Sequence, residues 1–439
     1  FKNLINVNTS DFVIDRYNGR DYIITGGGAG DKIKAQELGF RQNTFFNTQV
    51  IGEHNLPKAE TKLKWYGGFN ILDQFIPDQR RLFYTQDGTN PNAPFIALLT
   101  AGSQKSGSIF YSNLNDYIYN AGGDITKTVN WKNKKHIIKG GYLFQVKDRL
   151  YNSRPFSAST NSTAIKTLSP NEIFAPENFG TGNDKVQFSE LTGKAYRYMA
   201  NSILNAAYLQ LDNPIGNKFR LVWGVRFESF DQLVGSVKKS DPRHVNTLVN
   251  DFLPGLNLTY KLNAQTNLRF AASQTVVRPE FRELTDLAFY DFELNAQVKG
   301  NPSIQRTKVS NLDLRYELYP RAGEMFTVGA YFKHFDKPIE YFFNRTGPAT
   351  VTFDVINTKM ATAFGGEIEY RKKLDFIKAL KNFTVTGNLS YIYSKVEDTT
   401  GAVNRPLQGQ SPYLVNVGLQ YDLEKIGLSS TLLFNQIGR

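Results

Sequence analysis

Two adjacent arginines, Arg80 and Arg81, with Tyr84 three residues on, form the plainest anion-gripping pattern in the chain. A guanidinium fork binds phosphate or carboxylate bidentately. These residues fall in a predicted long loop and are candidates for binding substrate. A second constellation is Arg278, Glu280, Arg282, Glu283 and Asp286, directly after the predicted strand 267–276. It offers both charge signs at a loop root. Pairing with other loops or with a structure filling the lumen is the first reading, a solvated loop the second, and ligand contact the third. Tyr151, with Tyr111, Tyr117, Tyr119 and Phe156, flanks loop roots and offers rings for stacking on sugars or aromatic ligands. Girdle or loop-core packing is the alternative for this set.

Other chemistry fails on composition or spacing. No cysteine is present among the 439 residues, which removes disulfides, thiolate metal sites and a cysteine nucleophile. The four histidines, His54, His136, His244 and His334, lie in separate segments. Of these, only His244, with Asp241 nearby, sits in a predicted outer loop where it would polarise a hydroxyl. A solvated loop histidine is the plainer reading, so no catalytic residue and no metal site is expected. The run Thr25–Lys32 is rich in glycine but lacks phosphate-loop spacing and a hydroxyl residue after Lys32. The net charge is +12, yet no Lys/Arg block stands out, so nucleic acid is not an expected partner.

The elements that must carry these residues are strands. In Lys218–Glu228 the odd positions are Phe219, Leu221, Trp223, Val225 and Phe227. The even positions are mostly charged or small. Successive side chains of a strand point to opposite faces, so this segment lies between oil and water. The same alternation recurs in 311–318, 383–394 and 413–422, with weaker copies elsewhere. The apolar faces are rich in Tyr, Phe and Trp, as interface girdles are. No run of about 18 apolar residues exists for a membrane helix. The expected fold is all-β, a transmembrane antiparallel up-and-down barrel.

Connections alternate between two classes. Short ones are expected at 55–59, 132–135, 213–217, 263–265, 320–324, 375–381 and 424–427. Long ones are expected near 73–116, 148–205, 230–251, 275–308, 336–359 and 396–411. Outer-membrane barrels pair short periplasmic turns with long extracellular loops. Counting gives about 14 strands, with Phe1–Val13 as a possible further one, whereas closed bacterial barrels have even counts and both ends usually periplasmic. The expectation is an incomplete barrel over residues 1–439.

Several stretches resemble the TonB-dependent outer-membrane transporters of the Bacteroidetes type. They are His54–Leu56 leading into Ile76–Tyr84, Val277–Leu294 with Gly300-Asn301-Pro302, Tyr331–Glu340, Ala363–Phe376 and Arg405–Tyr421. Together they spread over most of residues 50–439. The resemblance implies a barrel of about 22 strands around a plug, in the outer membrane of a Gram-negative bacterium. It implies capture of a scarce nutrient (siderophore, cobalamin, glycan or peptide) by outer loops and upper lumen. Import would be driven by TonB, ExbB and ExbD through an N-terminal TonB box. No TonB box or plug is visible in this sequence. Other implied partners are the plug itself, outer-membrane lipid and lipopolysaccharide, and a surface lipoprotein of the SusD type. The late signature of SusC-like glycan importers is not seen. No cofactor and no enzymatic activity are implied. A passive porin, or a structural barrel within a larger envelope complex, is the alternative.

Overall fold

The computed structural model describes residues 20–22, 31–90, 92–292, 294, 296–345, 351–398 and 404–438. The glycine-rich run at 25–30 and the candidate strand Phe1–Val13 lie outside them. The wall begins with β1 (Arg20–Tyr22), β2 (Asp31–Gly39) and β3 (Gln42–Leu56). β2 and β3 pair with the upper and lower halves of one long strand, β4 (Thr61–Gln86). After the short β5 (Ile96–Ala97) come β6 (Ser108–Trp131) and β7 (Lys134–Ser159). The short β8 (Gln187–Glu190) precedes β9 (Arg197–Ile215), β10 (Phe219–Gly235), β11 (Val245–Lys261) and β12 (Thr266–Val277). Two short strands, β13 (Ala288–Asp291) and β14 (Ala296–Lys299), lead to β15 (Thr307–Leu318) and β16 (Met325–Asp336). A hairpin, β17 (Ile339–Arg345) and β18 (Val351–Asn357), precedes β19 (Met360–Lys373) and β20 (Phe383–Glu397). The short β21 (Asn404–Arg405), then β22 (Tyr413–Leu423) and β23 (Leu428–Ile437), complete the order.

The long strands pair in sequence order, each antiparallel to the last, from β2/β3 through β23. This is the expected up-and-down wall. Among the described residues it does not close: β23 pairs β22 but not β3, and every described residue of β23 is exposed. All the expected short turns fall between wall strands. The tightest, Lys132-Asn133, has φ of 49° and 57° at its two residues. Two consecutive left-handed residues make the hairpin turn whose twist matches the strands.

The strands are longer than the alternation indicated. β4, β6 and β7 have 26, 24 and 26 residues. About 9–11 tilted residues cross a membrane, so the upper half of each stands clear of it. There both faces are wet or packed under loops, and period two fades while the hydrogen-bond ladder continues. Much of the loops expected at 73–116 and 148–205 is therefore strand.

Register aligns the apolar faces into one outer belt. Val225 lies opposite Leu209 and Pro254, and Trp223 opposite Leu211 and Leu256. Phe219 stacks on Tyr260 near the short turns, at 4.6 Å, and Phe227 packs at a tilt against Phe252 eight residues higher, at 5.0 Å. Eight residues at ~3.3 Å each and ~40° tilt rise about 20 Å, close to the ~25 Å apolar band of such barrels. Within the belt, Trp223 donates its indole N–H to Asn213 Oδ1 at 3.2 Å, which satisfies its one polar group.

Candidate vestibular binding site

The polar faces of the wall point the other way, and their charges pair across strands. Arg149 grips Asp116 with two hydrogen bonds of 2.6 Å, and Lys147 approaches the same carboxylate at 3.5 Å. Arg315 reaches Glu369 at 2.9 Å, and Arg269 reaches Glu317 at 2.9 Å. A lumen must satisfy such charges internally or with water. Val222 interrupts the polar face of β10 without disturbing its direction.

Into this lumen folds the loop 278–306. Its two ends are fastened to one carboxylate. Arg278 binds Glu228 at 2.5 Å and approaches Asp251 at 3.8 Å, while Arg306 binds Asp251 at 2.8 Å. Arg226 completes the cluster by donating to Glu228 at 2.6 Å. Between these ends, Phe281, Leu284, Leu287 and Ile304 pack with Tyr198, Ala200 and Val234 of the wall. Tyr290 and Phe292 pack on Phe83 of β4.

The loop is also tied to its neighbours. β13, β14, β18 and β17 form one small sheet, built from two different loops, in which β14 and β18 are parallel. Gly300 explains part of the motif that contains it. A Cβ there would lie 2.3 Å from the Thr285 carbonyl oxygen and 2.6 Å from that of Arg282. The next residue, Asn301, donates its N–H to the Glu283 carbonyl at 2.6 Å and its side chain to that of Val355 at 3.1 Å. Arg405 joins the hairpin through Glu340 at 2.8 Å.

Between this loop and the wall lies a chamber of about 410 Å³. Four arginines, Arg41, Arg81, Arg149 and Arg282, and two carboxylates, Glu37 and Asp291, line it. Aromatic walls come from Tyr151, Tyr198, Phe289, Tyr290 and Phe292. Arg149 sits 15 residues up β7 from its periplasmic turn. At ~3.3 Å per residue and ~40° tilt that is about 38 Å, above the ~25 Å apolar band. The chamber is thus a vestibule on the outer side.

The sequence candidates divide within this frame. Arg80, Arg81 and Tyr84 lie on strand β4, not in a loop. A β-bulge between Ile76 and Gln79, at Pro77-Asp78, shifts the register, so Gln79, Arg81 and Phe83 face inward. Arg80 faces outward and pairs with Asp78 at 2.8 Å. Adjacent residues on opposite faces cannot grip one anion. Arg81 reaches the chamber but is bound to Glu37 at 2.6 Å. Tyr84 is buried under the 160–196 loop and donates to the Leu168 carbonyl at 2.9 Å. Tyr151 faces the chamber and packs on Tyr198 at 5.2 Å. Tyr111, Tyr117 and Tyr119 share the opposite face of β6, where Tyr119 stacks on Phe69 at 4.9 Å.

Of the second constellation, Arg278 fastens the loop root. Glu283 accepts from the Glu280 backbone N–H at 2.8 Å, and burial raises its carboxyl above the usual range. Glu280 itself is exposed. Asp286 pairs with Lys299 on the exposed side of the loop at 3.0 Å. Arg282 alone of the five lines the chamber. Arg41, Arg149, Tyr198, Phe289 and Tyr290 were not singled out by sequence. Their alternation was legible, but nothing local marks which inward positions the distant loop covers. His244 donates its Nδ1–H to the Ser236 carbonyl at 2.7 Å, while Asp241 is taken by Arg243 at 2.9 Å, so no His–Asp pair forms.

Residues 3–438 match the family model "TonB dependent receptor-like, beta-barrel". The chain belongs to the TonB-dependent receptor β-barrel family. Its place is the outer membrane of a Gram-negative cell. Among curated proteins none matches it by sequence. Solved structures of similar fold include the ferric citrate transporter FecA, at 14% identity and a TM-score of 0.51 over 90% of this chain and 56% of that one. The copper transporter OprC matches at 14% identity and 0.53, over 99% of this chain and 67% of that one. The pyoverdine receptor FpvA of Pseudomonas aeruginosa matches at 9% and 0.51, over 99% and 71%. The chain thus spans between about half and three quarters of the length of these receptors.

Proposed function

We propose that this chain is the barrel of an active importer that captures a scarce nutrient in the outer vestibule and passes it inward past a plug. Energy would come from TonB, ExbB and ExbD acting on that plug. The family match over 3–438 carries the reading, and the inward cationic and aromatic chamber supports it. Relatives of the same fold transport ferric citrate or copper, or bind pyoverdine, which makes a metal chelate the first ligand to try. Siderophore, cobalamin, glycan and peptide stay within the proposal. The kinship with Bacteroidetes transporters, and any surface lipoprotein partner, rest on sequence motifs alone.

The test is nutrient uptake by cells carrying the full-length gene, with TonB present or deleted. Uptake that stops without TonB supports the importer. Uptake that continues at the same rate, and survives a proton uncoupler, means passive diffusion and overturns it.

A further inference from the structure

The positive charge of the chain is concentrated at one end of the wall. The seven short turns, each taken with the three strand residues on either side, hold fifteen Lys/Arg against six Asp/Glu. That excess of nine is most of the chain's +12, and the remainder of the chain is nearly balanced. Two turns carry most of it. The β6–β7 turn has Lys132, Lys134 and Lys135 with no acid in the same stretch. The β19–β20 turn has Arg371, Lys372, Lys373, Lys378 and Lys381 against Asp375. That one acid does not balance them, because Arg321 of the neighbouring turn binds it. Lys372 is taken by Glu324 at 3.0 Å. Among the described residues no carboxylate lies within ion-pair distance of Lys378 or Lys381, and both are exposed. The same turns expose large apolar side chains. Phe376 and Ile377 are 68% and 43% exposed, and Trp131 is 60% exposed. Lys372 Nζ lies 6.0 Å from the centre of the Phe376 ring, and Lys132 Nζ 4.9 Å from that of Trp131. Lys372 and Tyr370 share the outward face of β19, because Glu369 between them reaches the inward Arg315. Beside them Phe383, the first residue of β20, packs on Tyr421 at 4.8 Å. The turn 374–382 thus sits at the lower edge of the outer belt, where apolar band meets polar border.

We propose that this periplasmic rim binds anionic phospholipid headgroups of the periplasmic leaflet, with Lys378 and Lys381 facing the phosphodiester and Phe376 and Ile377 entering the acyl border. The β6–β7 turn, with Lys132, Lys135 and Trp131, repeats the arrangement and is a second such site. A soluble anion would gain from the lysines but nothing from the exposed rings. Unpaired ammonium groups beside exposed apolar side chains, at a membrane edge, fit a partner that is itself amphipathic. Lysine also suits a headgroup, since its compact charge with three rotatable donors demands no fixed oxyanion geometry. Near an anionic surface each lysine contributes about fivefold in affinity, and salt screens the effect. The inference depends on the outer-membrane place of the family and not on the importer reading.

The test uses the purified full-length receptor in a neutral detergent. Bound lipid is counted by native mass spectrometry during titration with dioleoyl phosphatidylglycerol or dioleoyl phosphatidylcholine. Discrete binding of phosphatidylglycerol is expected, tighter than that of phosphatidylcholine at low salt, with the preference shrinking as salt is raised. Lys378→Gln with Lys381→Gln should weaken one phosphatidylglycerol site about twentyfold and so remove one bound lipid. Adding Lys132→Gln and Lys135→Gln should remove a second. Phe376→Ser should weaken both lipids at the first site. Lys238→Gln with Lys239→Gln, exposed in the outer loop between β10 and β11, should change nothing. Heat-modifiable migration on gels checks that each variant is folded. Equal affinity for the two lipids overturns the proposal. So does a preference that survives loss of the rim lysines, or one that falls equally with the outer-loop pair. Displacement of the lipid by glycerol 3-phosphate, or indifference to Phe376→Ser, would make the rim a site for soluble anions and would overturn it too.

Discussion

Asp251 is the post to which both ends of the inward loop are fastened, and Asp251→Asn tests that role. The side chain is 2% exposed, and Arg278 and Arg306 keep only 19% and 22% exposure. In the native cluster, Arg226, Arg278 and Arg306 face Glu228 and Asp251. The substitution keeps the shape but leaves three cations facing one carboxylate. Arg278 retains Glu228, whereas Arg306 loses its ion pair. At 2.8 Å and an effective dielectric near 20 the direct attraction is about 6 kcal/mol. Desolvation offsets much of that, and deleting one member of a buried pair typically costs ~3–5 kcal/mol. Because both arginines retain some water, about 3 kcal/mol is the appropriate figure, or roughly a 150-fold shift in loop opening. The assay is hydrogen exchange on the full-length receptor. Amides of Thr285 and Asn301, which donate to the Arg282 and Glu283 carbonyls, should lose protection by about that factor, while β7 amides should not. Unchanged loop protection, or equal loss throughout the barrel, would refute the idea that Asp251 fastens this loop.

Other consequences follow from the same geometry. Val225→Arg, near the middle of the outer belt, should cost about 2–4 kcal/mol of folding into lipid. Arg226→Gln, inside, should cost less than about 1 kcal/mol because Arg278 still binds Glu228. Refolding titrations in vesicles would compare them, and equal costs would sink the assignment of faces. Gly300→Ala should loosen the loop, since its Cβ would press on two carbonyl oxygens, and protease cutting within 278–306 should rise with the wall intact. In the periplasmic turn, hydrogen bonding from Arg321 and then Lys372 holds the Glu324 carboxyl down to about 2. A depressed carboxyl stabilises the fold fully above its unfolded value of about 4.3 and loses that contribution as pH falls toward 2. Glu324→Gln should therefore lower the melting temperature at pH 6, and the difference should shrink by pH 2.5. A constant difference across that range would contradict the assignment.

The sequence by itself determined the wall. Alternation in segments such as Lys218–Glu228 is local, because neighbouring side chains of a strand take opposite faces whatever else the chain does. It gave the outward set with Leu221 and Val225 and the inward set with Arg220 and Arg226. The turns were equally legible, since each is set by a few adjacent residues. The vestibule was not. One extra residue at Pro77-Asp78 exchanges Arg80 for Arg81 as the inward arginine, and unbroken parity from Ile76 gives the opposite result. Where strands rise above the membrane, alternation weakens, so long stretches of β4 and β7 read as loop. Above all, the folding of 278–306 across the lumen depends on contacts with Phe83, Tyr198 and Asp251, far away in the chain. Only the tertiary structure brings Arg282 to the same chamber as Arg81 and Arg149, because these residues come from a loop and two strands that no local pattern connects.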